Sequence, residues 1–281
     1  MKFEKWQALG NDYLIFESGA LPWELTPERI RRLCERHRGI GADGILLISE
    51  SDDPLALARV QIFNPDGSEA ELSGNGVRQA VLYLERANWT SAGGGFSVLT
   101  RAGRITATVT DHDTATLEMG TASVTSPDFP TGGPDGTGTV EAGARQWSFQ
   151  HISIGNPQCV IDAGDEVEDL DLAAIGPAIE NSDLFPNRTN VSFIRMDGAR
   201  VRARIFERGV GETASSGTGA CGAAVAAHMR GAPSLITVEL DGGELVVEIG
   251  DELEVRLTGR ASPVFRGELS GDLQQELASL S

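Results

Sequence analysis

Two stretches of the sequence, 63–76 and 206–219, share residue types that suit the binding of an anion at the start of a helix. They read FNPDGSEAELSGNG and FERGVGETASSGTG, with Phe, Glu, Ser, Gly and Gly at matching offsets. Each ends in a Ser-Gly-x-Gly motif that opens a predicted helix. Glycines there let a ligand approach the first free N–H groups, and the helix dipole favours an anion such as a carboxylate. If the halves face each other about a pseudo-two-fold axis, Ser73 and Ser216 lie on opposite sides of the ligand.

The same residues also have simpler interpretations. A lone Ser directly before a helix is most often a plain N-cap, and a lone Asn is as readily a turn former. The duplication favours a site, because further polar residues fall at strand ends and turns in both halves. These residues are Asn11, Asn64, Asn156, Asn190, Glu207 and Arg208.

The elements around the motifs also repeat. Leu9-Gly-Asn-Asp12 and Ile154-Gly-Asn-Pro157 each precede an apolar strand. A helix predicted from Thr26 or Pro27, where a Thr cap, an early Pro and an early Glu coincide, has its counterpart at 171–181. Helices are also predicted at 77–86 and 220–230, directly after the serine motifs. Strands are predicted at 45–48, 104–109, 116–119, 158–161, 191–194, 235–240, 245–249 and 253–257.

Many strands and few helices in each half predict an α+β protein. The segment 121–145 is rich in Gly and Pro and lacks hydrophobic periodicity, which indicates a connection or a long hairpin loop. We expect an N-terminal domain at 1–118, completed by 262–281, and a C-terminal domain at 119–261. A chain of 281 residues is long enough for two domains with separate cores.

Composition excludes several classes of partner. A net charge of −18 argues against nucleic acid, whose phosphates would be repelled. No apolar run approaches the roughly 20 residues that cross a bilayer, and the N-terminus lacks a signal-peptide core, so we expect a cytoplasmic protein without a membrane partner.

Cofactors and metals are not expected. Lys2 and Lys5 are the only lysines in the sequence and lie at its start, which disfavours a Schiff base with pyridoxal phosphate. Three scattered cysteines do not indicate a disulfide framework. Cys34 and His37 have the spacing of a metal pair, but no second pair accompanies them.

These residues carry a resemblance that covers nearly the whole chain. The sequence resembles the diaminopimelate epimerase family through 9–13 (LGNDY), 39–44 (GIGADG), 63–70 (FNPDGSEA), 74–76 (GNG), 155–157 (GNP), 188–191 (RTNV), 207–213 (ERGVGET), 217–221 (GTGAC) and 257–265 (LTGRASPVF). The resemblance implies two pseudo-symmetric domains, each a mostly antiparallel, β-barrel-like sheet around a central helix, with the substrate in a cleft. It also implies cofactor-independent conversion of LL- to meso-diaminopimelate, in lysine and peptidoglycan precursor synthesis.

The resemblance also implies the roles of individual residues. Two cysteines of the family act as a thiolate and thiol pair, one removing the α-proton and the other returning a proton from the opposite face. Ser73 and Ser216 occupy those catalytic positions here. The matching substrate-binding residues are Asn11, Asn64, Gly74, Asn75, Asn156, Asn190, Glu207, Arg208, Gly217 and Thr218.

Three departures affect proton transfer: Ser73 and Ser216 replace the family's cysteines, and Gln158 replaces its histidine. A serine hydroxyl ionises roughly 4 to 5 pKa units above a thiol, which adds about 6 kcal/mol to ionisation. An engineered double substitution would explain both serines, but Gln158 favours natural divergence.

Several interpretations of the altered site therefore stay open. The chain is an epimerase with altered proton transfer, an amino-acid-binding paralogue that has lost catalysis, or an isomerase or dehydratase that uses Glu207. Asp66 and Glu69 are weaker candidates for a replacement base, and Glu207 could instead be a partner of Arg208 or of the substrate ammonium. Cys221 falls inside the following helix and is not a substitute. The oligomeric state is open, a homodimer included.

Overall fold

The computed structural model describes residues 1–90 and 94–280, which contain eighteen β-strands and five α-helices. The helices are α1 Pro27–Cys34, α2 Gly74–Arg86, α3 Leu172–Glu180, α4 Gly217–Met229 and α5 Gly271–Ser279. The strands are β1 Lys2–Ala8, β2 Asn11–Glu17, β3 Ile45–Ser49, β4 Ala58–Phe63, β5 Glu69–Ala70, β6 Phe96–Thr100, β7 Gly103–Asp111, β8 Thr114–Thr121, β9 Thr137–Ala142, β10 Arg145–Ser153, β11 Pro157–Asp162, β12 Asn190–Asp197, β13 Arg200–Glu207, β14 Gly211–Thr213, β15 Leu235–Leu240, β16 Gly243–Ile249, β17 Glu254–Arg260 and β18 Ser262–Glu268. In this part of the chain, no helix combines the length and apolarity needed to span a membrane.

The chain divides into two compact units, one formed by 1–117 with 259–281 and the other by 118–258. In the first unit the strands pair in the order β18, β1, β2, β3, β4, β6, β7, β8. The β2–β3 and β4–β6 pairs are parallel, and the other pairs are antiparallel. Helix α2 packs against five of these strands, β1, β2, β3, β4 and β7.

The second unit repeats this arrangement. Its strands pair in the order β9, β10, β11, β12, β13, β15, β16, β17, again with only the third and fifth of these pairs parallel. Helix α4 contacts β10, β11, β12, β13, β15 and β16. In both units a short strand, β5 or β14, folds back on the strand before the central helix. The α+β prediction with an internal duplication is confirmed.

The sequence of α4 explains how a helix fits inside such a sheet. Residues 217–227 are all buried, and most of them are Gly or Ala. A helix that is buried on every side needs no polar face, and small side chains let the surrounding strands come close. At Gly222, an added Cβ would lie 2.8 Å from Cγ of Gln158, so this position has no room for a side chain.

The structure contains strands that were not predicted, such as β6 and β10, and it differs from the sequence prediction in three further places. The segment 121–145 is not only a connection, because it contains β9, in which Val140 and Ala142 alternate inward and pack with Trp147 and Phe149. Helices α2 and α4 begin inside the Ser-Gly-x-Gly motifs rather than after them. The C-terminal helix α5 was not predicted, although its Leu277 belongs to the core of the first unit.

Candidate active site

Ser73 and Ser216 occupy equivalent positions in the two units. Each is the N-cap of its central helix, with φ and ψ of −137° and 115° at Ser73 and −136° and 122° at Ser216. Each Oγ accepts a hydrogen bond from the N–H three residues later, at 3.0 Å from Gly76 and 3.2 Å from Gly219. The N-cap interpretation is therefore correct for both serines. It leaves each hydroxyl hydrogen available to a further acceptor.

In the first unit, the β1–β2 turn positions Asn11. Leu9 has a φ of 53° and Gly10 a φ of 87°, and a branched residue in this left-handed region stores strain of the kind common at functional sites. The Asn11 side chain donates from Nδ2 to Asp43 Oδ2 at 3.2 Å. Gln79 Nε2 of α2 donates to the Asn11 carbonyl at 3.0 Å. This turn is thus tied to the helix that Ser73 caps.

Asn64 and Asn75 have local partners within the same unit. Asn64 donates from Nδ2 to Ser68 Oγ at 3.0 Å, across the turn between β4 and β5. Asn75, one residue after Gly74, accepts from Arg78 Nη2 at 2.5 Å. Arg78 is fully buried, so its guanidinium orients the Asn75 amide from inside the unit.

Tyr13 is a further neighbour of Ser73. Its hydroxyl donates to Ser73 Oγ at 3.3 Å, and the residue is 5% exposed. The ring fits because residue 44 is glycine: a Cβ there would lie 2.6 Å from Tyr13 Cε1 and 2.3 Å from the Phe63 carbonyl oxygen. Ser73 Oγ therefore accepts from both a backbone N–H and a phenol.

In the second unit, three side chains form a chain of hydrogen bonds beside α4. Gln158 Nε2 donates to Asn156 Oδ1 at 2.6 Å, and Asn156 Nδ2 donates to Thr218 Oγ1 at 3.1 Å. Gln158 is fully buried, and its Oε1 has no hydrogen-bond partner among the described residues. Gln158 therefore fixes which way the Asn156 amide points.

Asn190 and Arg208 lie in one network at the end of β13. Asn190 Oδ1 accepts from the Arg208 backbone N–H at 2.8 Å, and Arg208 Nη1 donates to the Asn187 carbonyl at 2.9 Å. The nearly buried carboxylate of Glu180 accepts from the Gly209 N–H at 2.8 Å and from Arg188 at 3.0 Å. These bonds hold the turn that follows Glu207.

Glu207 is the carboxylate next to Ser216. It accepts a hydrogen bond from Thr213 Oγ1 at 2.7 Å and a second one from the Ser216 hydroxyl. Burial raises the pKa of Glu207 above its usual value, and these two hydrogen bonds oppose that shift. No ion pair links Glu207 to Arg208 in the part of the chain that the structure describes.

The two weaker candidates for a base have other partners. Asp66 hydrogen-bonds to the Ser68 hydroxyl and N–H, and these bonds lower the pKa of its exposed carboxyl. The Glu69 carboxylate accepts a hydrogen bond from Gln61 Nε2 at 3.5 Å. The Glu69 backbone carbonyl accepts one from Arg101 Nη1 at 3.2 Å. Neither contact reaches Ser73, so the geometry favours Glu207 over both.

Within residues 1–90 and 94–280, the group of side chains that could jointly hold a metal ion does not include Ser73, Ser216 or their hydrogen-bond partners. Burial, followed by the charges of Asp12 and Asp43, raises the pKa of Cys34 to about 12, which keeps its thiol protonated and a poor ligand. The described residues bring three possible ligand atoms within 4.8 Å at Asp111, His112 and Asp113. That group lies on the β7–β8 hairpin, where Asp111 and His112 are exposed.

Sequence reasoning missed Tyr13, Thr213 and Glu180. Tyr13 stands in a predicted strand 60 positions from Ser73, and only strand-to-helix packing brings the two together. Thr213 was visible as the residue before Ala-Ser-Ser, but its partner depends on the β13–β14 hairpin. A Glu at 180 within an apolar helix was the one available signal for a buried carboxylate.

The chain is similar in sequence to known proteins over most of its length. A family model described as diaminopimelate epimerase matches residues 3–125 and 150–264. A diaminopimelate epimerase from a Synechococcus species is 37% identical over 279 residues, covering 95% of this chain and 97% of the relative. Diaminopimelate epimerase 2 from a Nostoc species is 39% identical over 283 residues, covering 97% of each.

Solved structures share the fold at much lower sequence identity. A hydroxyproline epimerase from Agrobacterium vitis, with bound trans-4-hydroxy-L-proline, superposes with a TM-score of 0.69 at 16% identity, covering 97% of this chain and 93% of the other. A methylitaconate-δ-isomerase superposes with a TM-score of 0.66 at 14% identity, covering 96% and 95%. Because the family model matches most of the chain and these relatives cover at least 95% of it, the chain belongs to the diaminopimelate epimerase family and is an isomerase of the epimerase type.

Proposed function

We propose that this protein is a cofactor-independent amino-acid epimerase that interconverts LL- and meso-diaminopimelate. The relatives that match nearly the whole chain are named diaminopimelate epimerase. The residues that resemble the family's substrate-binding set are present in both units. The reaction supplies a precursor of lysine and peptidoglycan in that family. The two serines are the groups proposed to exchange protons with the α-carbon.

The observation that carries the proposal is the hydrogen bond between Ser216 and Glu207. Because Ser216 accepts from Gly219 and donates to Glu207, its hydroxyl can pass its own proton to the carboxylate while it takes one from the substrate. No free alkoxide forms in this step. The roughly 6 kcal/mol by which a serine is harder to ionise than a cysteine is therefore partly offset.

Thr213 and the raised pKa of Glu207 suit this role. The Thr213 hydroxyl fixes the carboxylate at 2.7 Å, so the acceptor is aligned before substrate binds. A carboxyl whose pKa lies above its usual value is a stronger base than an ordinary glutamate. Glu207 is therefore proposed as the base that acts through Ser216.

Ser73 is proposed to serve the opposite face of the α-carbon. Epimerisation needs a proton to be removed on one face and returned on the other, so one serine alone is not enough. The N–H groups at the starts of α2 and α4 are proposed to bind the α-carboxylate, because helix N-termini favour anions. The neighbouring asparagines and Arg208 would hold the remaining polar groups.

The test is hydrogen exchange at the α-carbon. The protein is incubated in D₂O with LL- or meso-diaminopimelate, and NMR follows loss of the α-proton and appearance of the other isomer. We expect both. The absence of exchange with either isomer at high enzyme concentration, with binding retained in calorimetry, would show a binding protein instead.

A double variant supplies the matched control. Ser73→Cys with Ser216→Cys restores thiols at both proton-transfer positions without changing the binding residues. We expect the epimerisation rate to rise by at least tenfold over the native chain. If the double variant is also inactive and does not bind diaminopimelate, the substrate assignment is wrong.

A further inference from the structure

We propose that Tyr13 is a positioning residue for Ser73. Its phenol holds the Ser73 hydroxyl and exchanges a proton with it. The inference rests on the proposed epimerase function. It adds the group that assists proton transfer by Ser73 at the second face of the α-carbon. It is based on the contacts of Ser73, which differ from those of Ser216 although the two backbones are alike.

The two serines have chemically opposite neighbours. Ser216 donates to a carboxylate, Glu207, which can take up a proton. Ser73 accepts from a phenol, Tyr13, at 3.3 Å, and a phenol can give one up. In the two equivalent units, one serine is therefore hydrogen-bonded to a proton acceptor and the other to a proton donor.

The phenol is held in this position by packing. Tyr13 lies on β2, two residues after Asn11, and is almost fully buried. Its ring occupies the space that a side chain at residue 44 would need. The other bond to Ser73 Oγ, from the Gly76 N–H at 3.0 Å, fixes the oxygen between the helix terminus and the phenol.

The proposed step balances as follows. Ser73 O–H breaks as its proton bonds to the carbanionic α-carbon, and Tyr13 O–H breaks as its proton passes to Ser73 Oγ. The negative charge moves from the carbanion to the phenolate. In the reverse direction the phenolate takes the Ser73 proton while Ser73 takes the α-proton. A phenol ionises roughly three pKa units more readily than an aliphatic alcohol, so the relay costs less than a serine alkoxide.

The chain offers a matched control for a substitution of Tyr13, because it contains one other tyrosine. The chain has Tyr13 and Tyr83 and no others, and Tyr83 donates to Glu17 Oε1 at 2.6 Å, away from Ser73. Tyr13→Phe removes only the hydroxyl from the proposed relay. Tyr83→Phe is the matched control and is expected to leave the rate unchanged.

For Tyr13→Phe we expect kcat for epimerisation to fall about 100-fold with KM changed less than threefold, and the alkaline limb of the kcat–pH profile to change. Exchange of the α-proton for deuterium with retained configuration needs only Ser216 and Glu207. This exchange should therefore persist for one stereoisomer. Equal rates for Tyr13→Phe and the native chain, or equal loss of exchange for both stereoisomers, would overturn the proposal.

A second measurement does not depend on activity. In the Tyr83→Phe background, tyrosine labelled with ¹³C at Cζ reports Tyr13 alone. We expect the Tyr13 signal and its titration midpoint to shift when Ser73 is replaced by Ala. An identical titration with and without Ser73 would show that the phenol is not coupled to it. If the native chain lacks exchange while this coupling is present, the epimerase function fails and the Tyr13–Ser73 pair stands.

Discussion

Replacing Glu207 by Gln separates a catalytic role from a structural one, because the two roles predict opposite signs for stability. Gln keeps an Oε1 that can accept from Thr213, which now bonds Glu207 at 2.7 Å. Its NH₂ group would donate to Ser216 Oγ, which reverses the present bond. The serine then has no group to take its proton. We expect the epimerisation rate to fall by about 10²–10⁴-fold, the usual contribution of a general base.

The stability effect follows from the direction of the pKa shift. Burial raises the pKa of Glu207, so between its unfolded and folded pKa values the native state binds more protons than the unfolded state. Stability from this group is therefore present at low pH and is lost as pH rises through the folded pKa. The Glu207→Gln variant has no carboxyl to ionise at this position and should unfold at a higher temperature than the native chain at pH 7. The difference between the two unfolding temperatures should vanish near pH 4.

The assay combines α-proton exchange with thermal unfolding across pH. The acidic limb of the native rate profile, where Glu207 becomes protonated, should be absent from the residual activity of Glu207→Gln. Glu212→Gln is the control, because Glu212 forms an exposed ion pair with Arg204; its rate should be unchanged and its stability slightly lower. A Glu207→Gln protein that loses stability and activity together would refute the reasoning.

Three further effects are expected. Gly222→Ala should destabilise the protein by about 1–3 kcal/mol in urea unfolding, because its Cβ would lie 2.8 Å from Gln158 Cγ, and adding Gln158→Ala should restore part of the loss. Glu180→Ala should lower stability by about 1–3 kcal/mol, measured the same way, since the Gly209 N–H and Arg188 lose a buried acceptor. Raising NaCl from about 0.1 to 1 M should raise the unfolding temperature in calorimetry, because screening weakens the self-repulsion of a chain with net charge −18; a flat dependence would contradict this.

Local features predicted much of the fold. Ser73 and Ser216 were recognisable as helix starts because capping depends on residues within one turn. Strand β15 was predicted with the bounds Leu235–Leu240 that the structure has, since its apolar residues alternate. Strand β9 was missed because its Gly and Thr residues form a strand only when paired with β10.

The partners of the serines depend on contacts between distant residues. Tyr13 reaches Ser73 only because β2 packs against α2, and nothing near either residue in the sequence indicates this. Glu207 was a candidate from the motif, but its bonds to Thr213 and Ser216 rather than to Arg208 depend on how the β13–β14 hairpin closes. The types of the site residues were thus readable, and their pairing was not.

The position of β18 bears on the order in which the chain can fold during synthesis. In the second unit the strand beside β10 is β9, which is joined to it by a tight turn. In the first unit the equivalent neighbour of β1 is β18, made of residues 262–268. The ribosome therefore releases the whole second unit before the first can complete its sheet. A chain that stops before residue 262 would leave one edge of β1 unpaired, and an open strand edge is a template for aggregation.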